Sequence, residues 1–134
     1  MKAINAYLNF DGNTGEAMRF YAKCLDADLQ IQTFKDAGMD APGAEDRVIH
    51  ARLEKGGAIL MASDSQPGTA VKQGDNVWLS VDCDSQEEQD RMFTGLTDGG
   101  QVVMPLDTTF WGARFGMLRD RYGIGWMFNL ELKK

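Results

Sequence analysis

Two short stretches of the chain carry amide, hydroxyl and aromatic side chains at the same spacing. One runs from Asn5 to Asp11 and the other from Asn76 to Asp82; in both, an aromatic residue, Leu and Asp follow the Asn by two, three and six positions. Aromatic walls with a few placed polar groups are typical of small-molecule pockets. The pattern predicts a ligand site that includes Asn5, Tyr7, Asn9, Asn76, Trp78 and Ser80.

Acid–base chemistry would rest on few groups. His50 is the only histidine, and Glu131 is the carboxylate that strand alternation places on the same side as Met127 and Asn129. A general acid or base must titrate and must lie at the substrate. His50 and Glu131 are therefore weak catalytic candidates, since a lone strand histidine is more often a structural residue.

Composition excludes several other classes of function. A formal net charge of −6 and a pI near 4.7 argue against a nucleic-acid partner, which usually requires a basic face. No apolar run approaches the ~20 residues of a membrane span, and the first residues lack a signal-peptide core. Cys24 and Cys83 have no CxxC spacing and are expected to be reduced. We expect a cytoplasmic protein with no membrane partner.

Hydrophobic alternation and turn residues predict the elements that must position these groups. Asn13 with Glu16, and Ser85 with Glu88, have the spacing of helix capping boxes. The predicted helices span 13–25 and 85–98, and the predicted strands span 3–10, 28–35, 48–54, 58–63, 76–83, 101–106, 110–119 and 124–132. Alternation in these strands places Ile4, Val77 and Trp126 on the side that is expected to face a core.

This order is βαβββ, twice, and the two copies share residues at an offset of 71 positions. We predict an α+β fold in which one domain, 1–134, consists of two repeats at about 1–64 and 76–132, joined by a linker at 65–75. Each repeat is expected to form a curved sheet with a helix behind it. The two faces without a helix would then enclose a cleft.

Several motifs along the whole chain resemble one family. They are Tyr7-Leu-Asn-Phe-Asp-Gly-Asn13, Glu16-Ala-Met-Arg-Phe-Tyr21, Gly57-Ala-Ile-Leu-Met-Ala-Ser-Asp64, Phe110-Trp-Gly-Ala-Arg-Phe-Gly116 and Asp120-Arg-Tyr-Gly123. The chain resembles the vicinal-oxygen-chelate superfamily of glyoxalase I, bleomycin-resistance proteins and extradiol dioxygenases. More narrowly, it is similar to the PhnB-like branch, often labelled 3-demethylubiquinone-9 3-methyltransferase-like. Methyl transfer is not expected, because no glycine-rich turn opens a helix after a strand.

The resemblance implies a divalent-metal site in the enzymes of the superfamily. Its four ligand positions fall on Asn5, near Met61, and on Asn76 and Met127 in this sequence. Amides and thioethers suit no hard or borderline divalent ion, which prefers imidazole or anionic oxygen. We therefore expect that the metal site is lost and that the protein has no cofactor.

Three further residues complete the predicted ligand site. Asn129 shares the strand parity of Met127, and Trp111 lies in the phenylalanine-tryptophan-glycine motif. Arg114 lies three residues after Trp111; it either holds an anionic group of the ligand by a bidentate contact or is a surface charge.

The residues support two functional hypotheses. The first is a metal-free, homodimeric protein of this superfamily that binds a small molecule of unknown identity. The alternative is a lyase, isomerase or dioxygenase-like enzyme, which would use a metal held by non-standard ligands or metal-free acid–base catalysis. The non-standard ligands would come from Glu131, Asn129, Asp64 and His50.

Overall fold

The computed structural model describes residues 1–132 and divides the chain into two compact units, Met1–Lys72 and a second that begins at Gln73. The first unit consists of β1 (Ala6–Phe10), α1 (Thr14–Leu25), β2 (Asp28–Thr33), β3 (Val48–Lys55) and β4 (Ala58–Asp64). The second consists of β5 (Trp78–Asp82), α2 (Gln86–Thr97), β6 (Gln101–Thr108), β7 (Ala113–Arg119) and β8 (Gly125–Glu131). The predicted α+β class and element order are confirmed.

Each unit contains a four-stranded sheet with its first and last strands adjacent and parallel. The strand order is β1-β4-β3-β2 in one and β5-β8-β7-β6 in the other, and the remaining pairs are antiparallel. Helix α1 packs on β2, β3 and β4, and α2 packs on β7 and β8. A helix thus covers one face of each sheet; we call the opposite side the open face. Within residues 1–132, neither helix is long and apolar enough to cross a bilayer.

The covered faces hold the two cores. In the first unit, Met18 and Tyr21 of α1 are fully buried, as are the small residues Ala51 and Ala62 of β3 and β4, on which α1 packs. In the second unit, Phe93 of α2 meets the ring of Phe128 edge-on at 5.8 Å. Trp126 stacks on Phe128 and is 2% exposed, which confirms the prediction that Trp126 faces the core.

Strands β1 and β5 begin later than the alternation predicted. Pairing starts at Ala6 with Leu60 and at Trp78 with Gly125, so the preceding residues have no partner strand within residues 1–132. Ile4 is 87% exposed and Val77 75% exposed. The prediction that Ile4 and Val77 face a core is therefore wrong. Asn5 and Asn76 likewise lie just outside their strands.

The prediction that β7 begins at Phe110 is also wrong. Thr109 donates its amide to the carbonyl of Ala113 at 2.8 Å and closes the β6–β7 hairpin. Gly112 has a φ of +83°, which a strand residue does not adopt. Phe110 and Trp111 therefore lie at the tip of the turn, with Phe110 97% exposed.

The buried carboxylate of Asp64, at the end of β4, replaces the predicted capping box of α1. Asn13 has no side-chain capping bond. Asp64 Oδ1 instead accepts hydrogen bonds from the Gly12 amide at 2.8 Å, the Thr14 amide at 3.1 Å and the Thr14 hydroxyl at 2.7 Å. Its Oδ2 accepts from the Val48 amide at 2.8 Å. One side chain thus joins the start of α1 and the start of β3 to β4.

The cap predicted for α2 is confirmed. Ser85 Oγ accepts a hydrogen bond from the Glu88 amide at 3.1 Å, and the Glu88 carboxylate accepts one from the Asp84 amide at 3.1 Å. Cys83, just before this cap, is buried, and neither it nor Cys24 forms a disulfide. Burial raises the pKa of the Cys83 thiol to about 11, with smaller effects from Glu88, Asp82 and Asp84. The thiol is therefore protonated and unreactive at neutral pH.

We predict that Asp64→Ala lowers the free energy of unfolding by about 3 kcal/mol, because buried amides lose their acceptor and α1 loses its cap. Urea unfolding followed by circular dichroism measures the effect. Asp40→Ala removes an exposed loop carboxylate and should change the same quantity by less than about 0.5 kcal/mol. Equal effects of the two substitutions would show that Asp64 does not join α1, β3 and β4.

Candidate functional site

The open face of the first unit brings together four predicted residues. The strand register places Tyr7 beside Met61 and Asn9 beside Ser63. The Tyr7 hydroxyl lies 3.1 Å from His50 Nδ1, and the two rings are 5.8 Å apart at their centroids. Arg52 lies beside Met61 and forms an ion pair with Glu54. This face therefore has one aromatic–imidazole pair and a neutralised arginine.

The open face of the second unit carries three rows of side chains, one residue from each paired strand. The first row contains Trp78, Gly125, Arg119 and Gln101. The second row contains Ser80, Met127, Met117 and Met104. The third row contains Asp82, Asn129, Phe115 and Asp107.

The ring of Trp78 is held in place from two sides. It lies so close to Gly125 that a Cβ there would come within 2.6 Å of the indole, so this position requires glycine. The Arg119 guanidinium carbon sits 4.6 Å from the ring centroid, in a cation–π contact. Arg119 is fixed in turn by the carbonyls of Gly123 at 3.0 Å and Asp75 at 3.3 Å. Trp78 thus forms a rigid wall, and Arg119 covers part of its ring.

A cluster of three aromatic residues, which we call the aromatic corner, lies at the other end of this face. Trp111 packs edge-on against Phe110 at 5.0 Å and against Phe115 at 5.8 Å between centroids. Trp111 is 55% exposed, and Phe115 extends the cluster into the third row. The accessible indole of this unit is therefore that of Trp111.

Arg114 does not lie with the aromatic corner on the open face. It pairs with Leu130 in the register, and its guanidinium donates to Gln89 Oε1 at 3.0 Å and to Asp90 at 2.8 Å, both on α2. Gln89 also donates to the Arg114 carbonyl at 2.9 Å. The side chain is therefore on the covered side and already paired. This position fits neither a bidentate contact with a ligand on the open face nor an unpaired surface charge; Arg114 instead joins β7 to α2.

The polar residues on the open face of the second unit are close to one another. Asn129 Nδ2 lies 3.3 Å from Asp82 Oδ1, and Ser80 is the register neighbour of Met127. Glu131 lies two residues beyond Asn129 on the same strand and is exposed. Ser80, Met127 and Asn129 are thus neighbours on this face.

The residues at the positions implied for a divalent metal do not fit one. Met127 lies beside Ser80, and Ser80 is four residues after Asn76 in the sequence. Met61 lies beside Tyr7, and Tyr7 is two residues after Asn5. The donors are amides and thioethers, which hard and borderline ions do not prefer. Within the described part of the chain, no group of three or more His, Cys, Asp or Glu side chains could hold a metal ion.

Several residues of the open face of the second unit are not among those predicted from the sequence. They are Arg119, Phe115, Met117 and Met104. The alternation of β7 contained the signal for the first three, since positions 115, 117 and 119 share one side of the strand. The irregular register of β6 hid the fourth.

Comparisons with solved structures bear on the identity of the chain. Protein PA1353 from Pseudomonas aeruginosa is 40% identical with a TM-score of 0.89, and the match covers 99% of this chain and 100% of that one. A putative 3-demethylubiquinone-9 3-methyltransferase, PhnB protein, from Bacillus cereus is 32% identical with a TM-score of 0.80, covering 96% and 99% of the two chains.

A more distant structure shares the fold. It is a glyoxalase/bleomycin resistance protein/dioxygenase family enzyme from Burkholderia phytofirmans, 16% identical with a TM-score of 0.65, covering 97% of this chain and 100% of that one. The family model described as 3-demethylubiquinone-9 3-methyltransferase matches residues 2–128. The chain therefore belongs to that PhnB-like family, and it shares its fold with the glyoxalase/bleomycin resistance/dioxygenase structure.

Proposed function

We propose that the protein binds a small organic molecule on the open face of the second unit, without a divalent metal. One observation carries the proposal. An exposed aromatic corner adjoins half-buried apolar side chains on a sheet face that the unit's own helix does not cover. Aromatic and apolar walls that converge on a few polar groups are characteristic of ligand sites.

The floor of the proposed site consists of Met117, Met127 and Phe115. All three are half-buried. Met117 on β7 is the cross-strand neighbour of Met127 on β8, and Phe115 lies two residues before Met117 on β7. Methionine side chains are flexible and polarizable, so they adapt to ligands of irregular shape. This floor favours an organic molecule with a substantial apolar surface.

Ser80 and Asn129 supply the polar groups that would orient the ligand. The Asn129 amide nitrogen is directed to Asp82, which leaves the amide oxygen as an acceptor for a ligand donor. The Ser80 side chain is exposed beside Met127 and can donate or accept. The ligand is therefore expected to carry at least one hydrogen-bonding group.

Trp111 is the ring on which an aromatic ligand would stack. Trp78 is less suited to this role, because Arg119 covers its ring and Gly125 lies against it. We therefore assign stacking to Trp111 and assign to Trp78 the part of a fixed side wall. Family membership supports ligand binding in general; methyl transfer is not proposed, because no glycine-rich strand-to-helix turn is present in the sequence. A homodimer and a cytoplasmic location stay predictions.

Ligand binding is tested with a library of planar aromatic compounds that carry one hydrogen-bonding group, using tryptophan fluorescence. We predict that at least one compound quenches the emission of the Trp78→Phe variant, in which Trp111 is the accessible indole, and fails to quench Trp111→Phe. Asn129→Ala should weaken the binding of the same compound about tenfold, since the loss of a hydrogen bond costs about 1.4 kcal/mol of binding free energy.

Asn9→Ala is the matched control, because it removes an equivalent amide from the open face of the first unit and should leave the affinity unchanged. If every binding compound responds to Asn9→Ala and to neither Asn129→Ala nor Trp111→Phe, the ligand site is not on the second unit.

Acid–base catalysis by His50 is a second candidate, favoured by the Tyr7–His50 contact. When the Tyr7 hydroxyl donates to Nδ1, the neutral ring carries its proton on Nε2 and offers it to a ligand; in the other tautomer, Nε2 is a base. Tyr7 would thus orient the imidazole. Glu131 has no described partner of this kind, so His50 is the stronger of the two catalytic candidates.

Proton abstraction is tested by ¹H NMR in D₂O on a panel of small carbonyl compounds, whose α-hydrogen signals disappear as they exchange. If His50 is the base, His50→Gln slows the exchange at least about a hundredfold. Tyr7→Phe should slow it less, and Glu131→Gln should not affect it. Exchange no faster than in buffer, or equal in His50→Gln, would remove this candidate.

A further inference from the structure

Three methionines lie in one row across the second sheet, and we propose that they form a binding site for a soft monovalent cation, Cu⁺ or its redox-inert analogue Ag⁺. They are Met104, Met117 and Met127. This site shares Met117 and Met127 with the floor of the proposed organic-ligand site, but it requires no organic ligand, so the titration with a metal ion tests it separately.

The register brings the three side chains together. Met117 is the cross-strand neighbour of both Met104 on β6 and Met127 on β8. Neighbouring strands are about 4.8 Å apart, so the outer two backbone positions are separated by roughly 10 Å. Directly paired residues project from the same side of a sheet, and methionine has three rotatable bonds. The three sulfur atoms can therefore converge above Met117.

An irregularity in β6 places Met104 in this row. The register shifts once between Val102 and Met104 and again between Met104 and Asp107. Strict alternation would put Met104 on the same side as Leu106, whose side chain lies against Gly116 and Phe93 on the covered side. Because a bulge inserts an extra residue, it reverses the facing of the residues after it. The bulges turn the 46% exposed Met104 to the open face.

Thioether sulfur selects soft ions. Cu⁺ is stabilised by Cys and Met sulfur, whereas Mn²⁺ and Mg²⁺ prefer oxygen and Zn²⁺ takes thiolate, imidazole or carboxylate rather than neutral thioether. The row of Ser80, Met127, Met117 and Met104 contains no imidazole and no carboxylate, so its sulfur atoms favour a soft ion over a hard one.

The electrostatics of the adjacent row favour a cation. Asp82 and Asp107 lie one row from the methionines, and no Lys or Arg among residues 1–132 forms an ion pair with either. On the other side of the methionine row lies Arg119, whose guanidinium is held by Trp78 and by the Gly123 and Asp75 carbonyls. A cation bound by the neutral thioethers would therefore be attracted by two nearby negative charges.

Silver titration of protein labelled with ¹³C at the methionine methyl groups tests the site, in a Cys24→Ala background that removes the more accessible thiol. We predict that one equivalent of Ag⁺ shifts the methyl signals of Met104, Met117 and Met127. The buried Met18 and Met92, and Met39 and Met61 of the first unit, should not shift. Met117→Leu, a near-isosteric change, should weaken binding at least about tenfold.

Met61→Leu is the matched control, because Met61 is half-buried on the open face of the other sheet and should leave the affinity for Ag⁺ unchanged. Zn²⁺ at the same concentration should shift none of the three signals. Equal shifts at Met39 and Met61, no shift at one equivalent, or unchanged affinity in Met117→Leu would overturn the proposal.

Discussion

A single helix packs on each four-stranded sheet, and the rest of the structure depends on this constraint. Successive side chains of a strand point to opposite faces of the sheet. When a helix covers one face, every second residue of each strand belongs to the core, and the others face solvent or a ligand. In the second unit this division sends Trp126 and Phe128 under α2 and sends Met127 and Asn129 to the open face. The chemistry of the protein is therefore set by the residues that the core does not use.

The carboxylate of Asp64 shows how the covered face of the first unit is assembled. It accepts hydrogen bonds from the amides at the start of α1 and from the amide of the first residue of β3. The start of α1, the start of β3 and the end of β4 therefore meet at one buried carboxylate. Asp120 plays a comparable part in the second unit, where it accepts from the Tyr122 and Ile124 amides and from the Trp126 indole at 2.8 Å. Both aspartates stand in motifs that carried the family resemblance, which links those motifs to folding rather than to the ligand.

The sequence predicted most of the fold because alternation is a strong signal: the strand faces of Tyr7, Trp78 and Met127 follow from it directly. It placed Ile4 and Val77 in a core incorrectly, since alternation continues past the point where a partner strand ends. It could not identify Asp64 as the cap of α1, because Asp64 is 50 residues from Thr14 in the sequence. Nor could it distinguish a free Arg114 from one bonded to Gln89 and Asp90, because that depends on which side of β7 faces α2.

The fold of this chain and the chemistry of its donor groups point in different directions. Relatives of this fold include proteins described as dioxygenase-family enzymes, yet the implied ligand positions here carry amides and thioethers. The central claim is that the protein works through its open faces without a divalent metal. Metal analysis with native mass spectrometry, on protein purified without chelators or a metal-carrying tag, tests this claim most directly. The account predicts no divalent ion at a stoichiometric level; one tightly bound divalent ion per chain would contradict it.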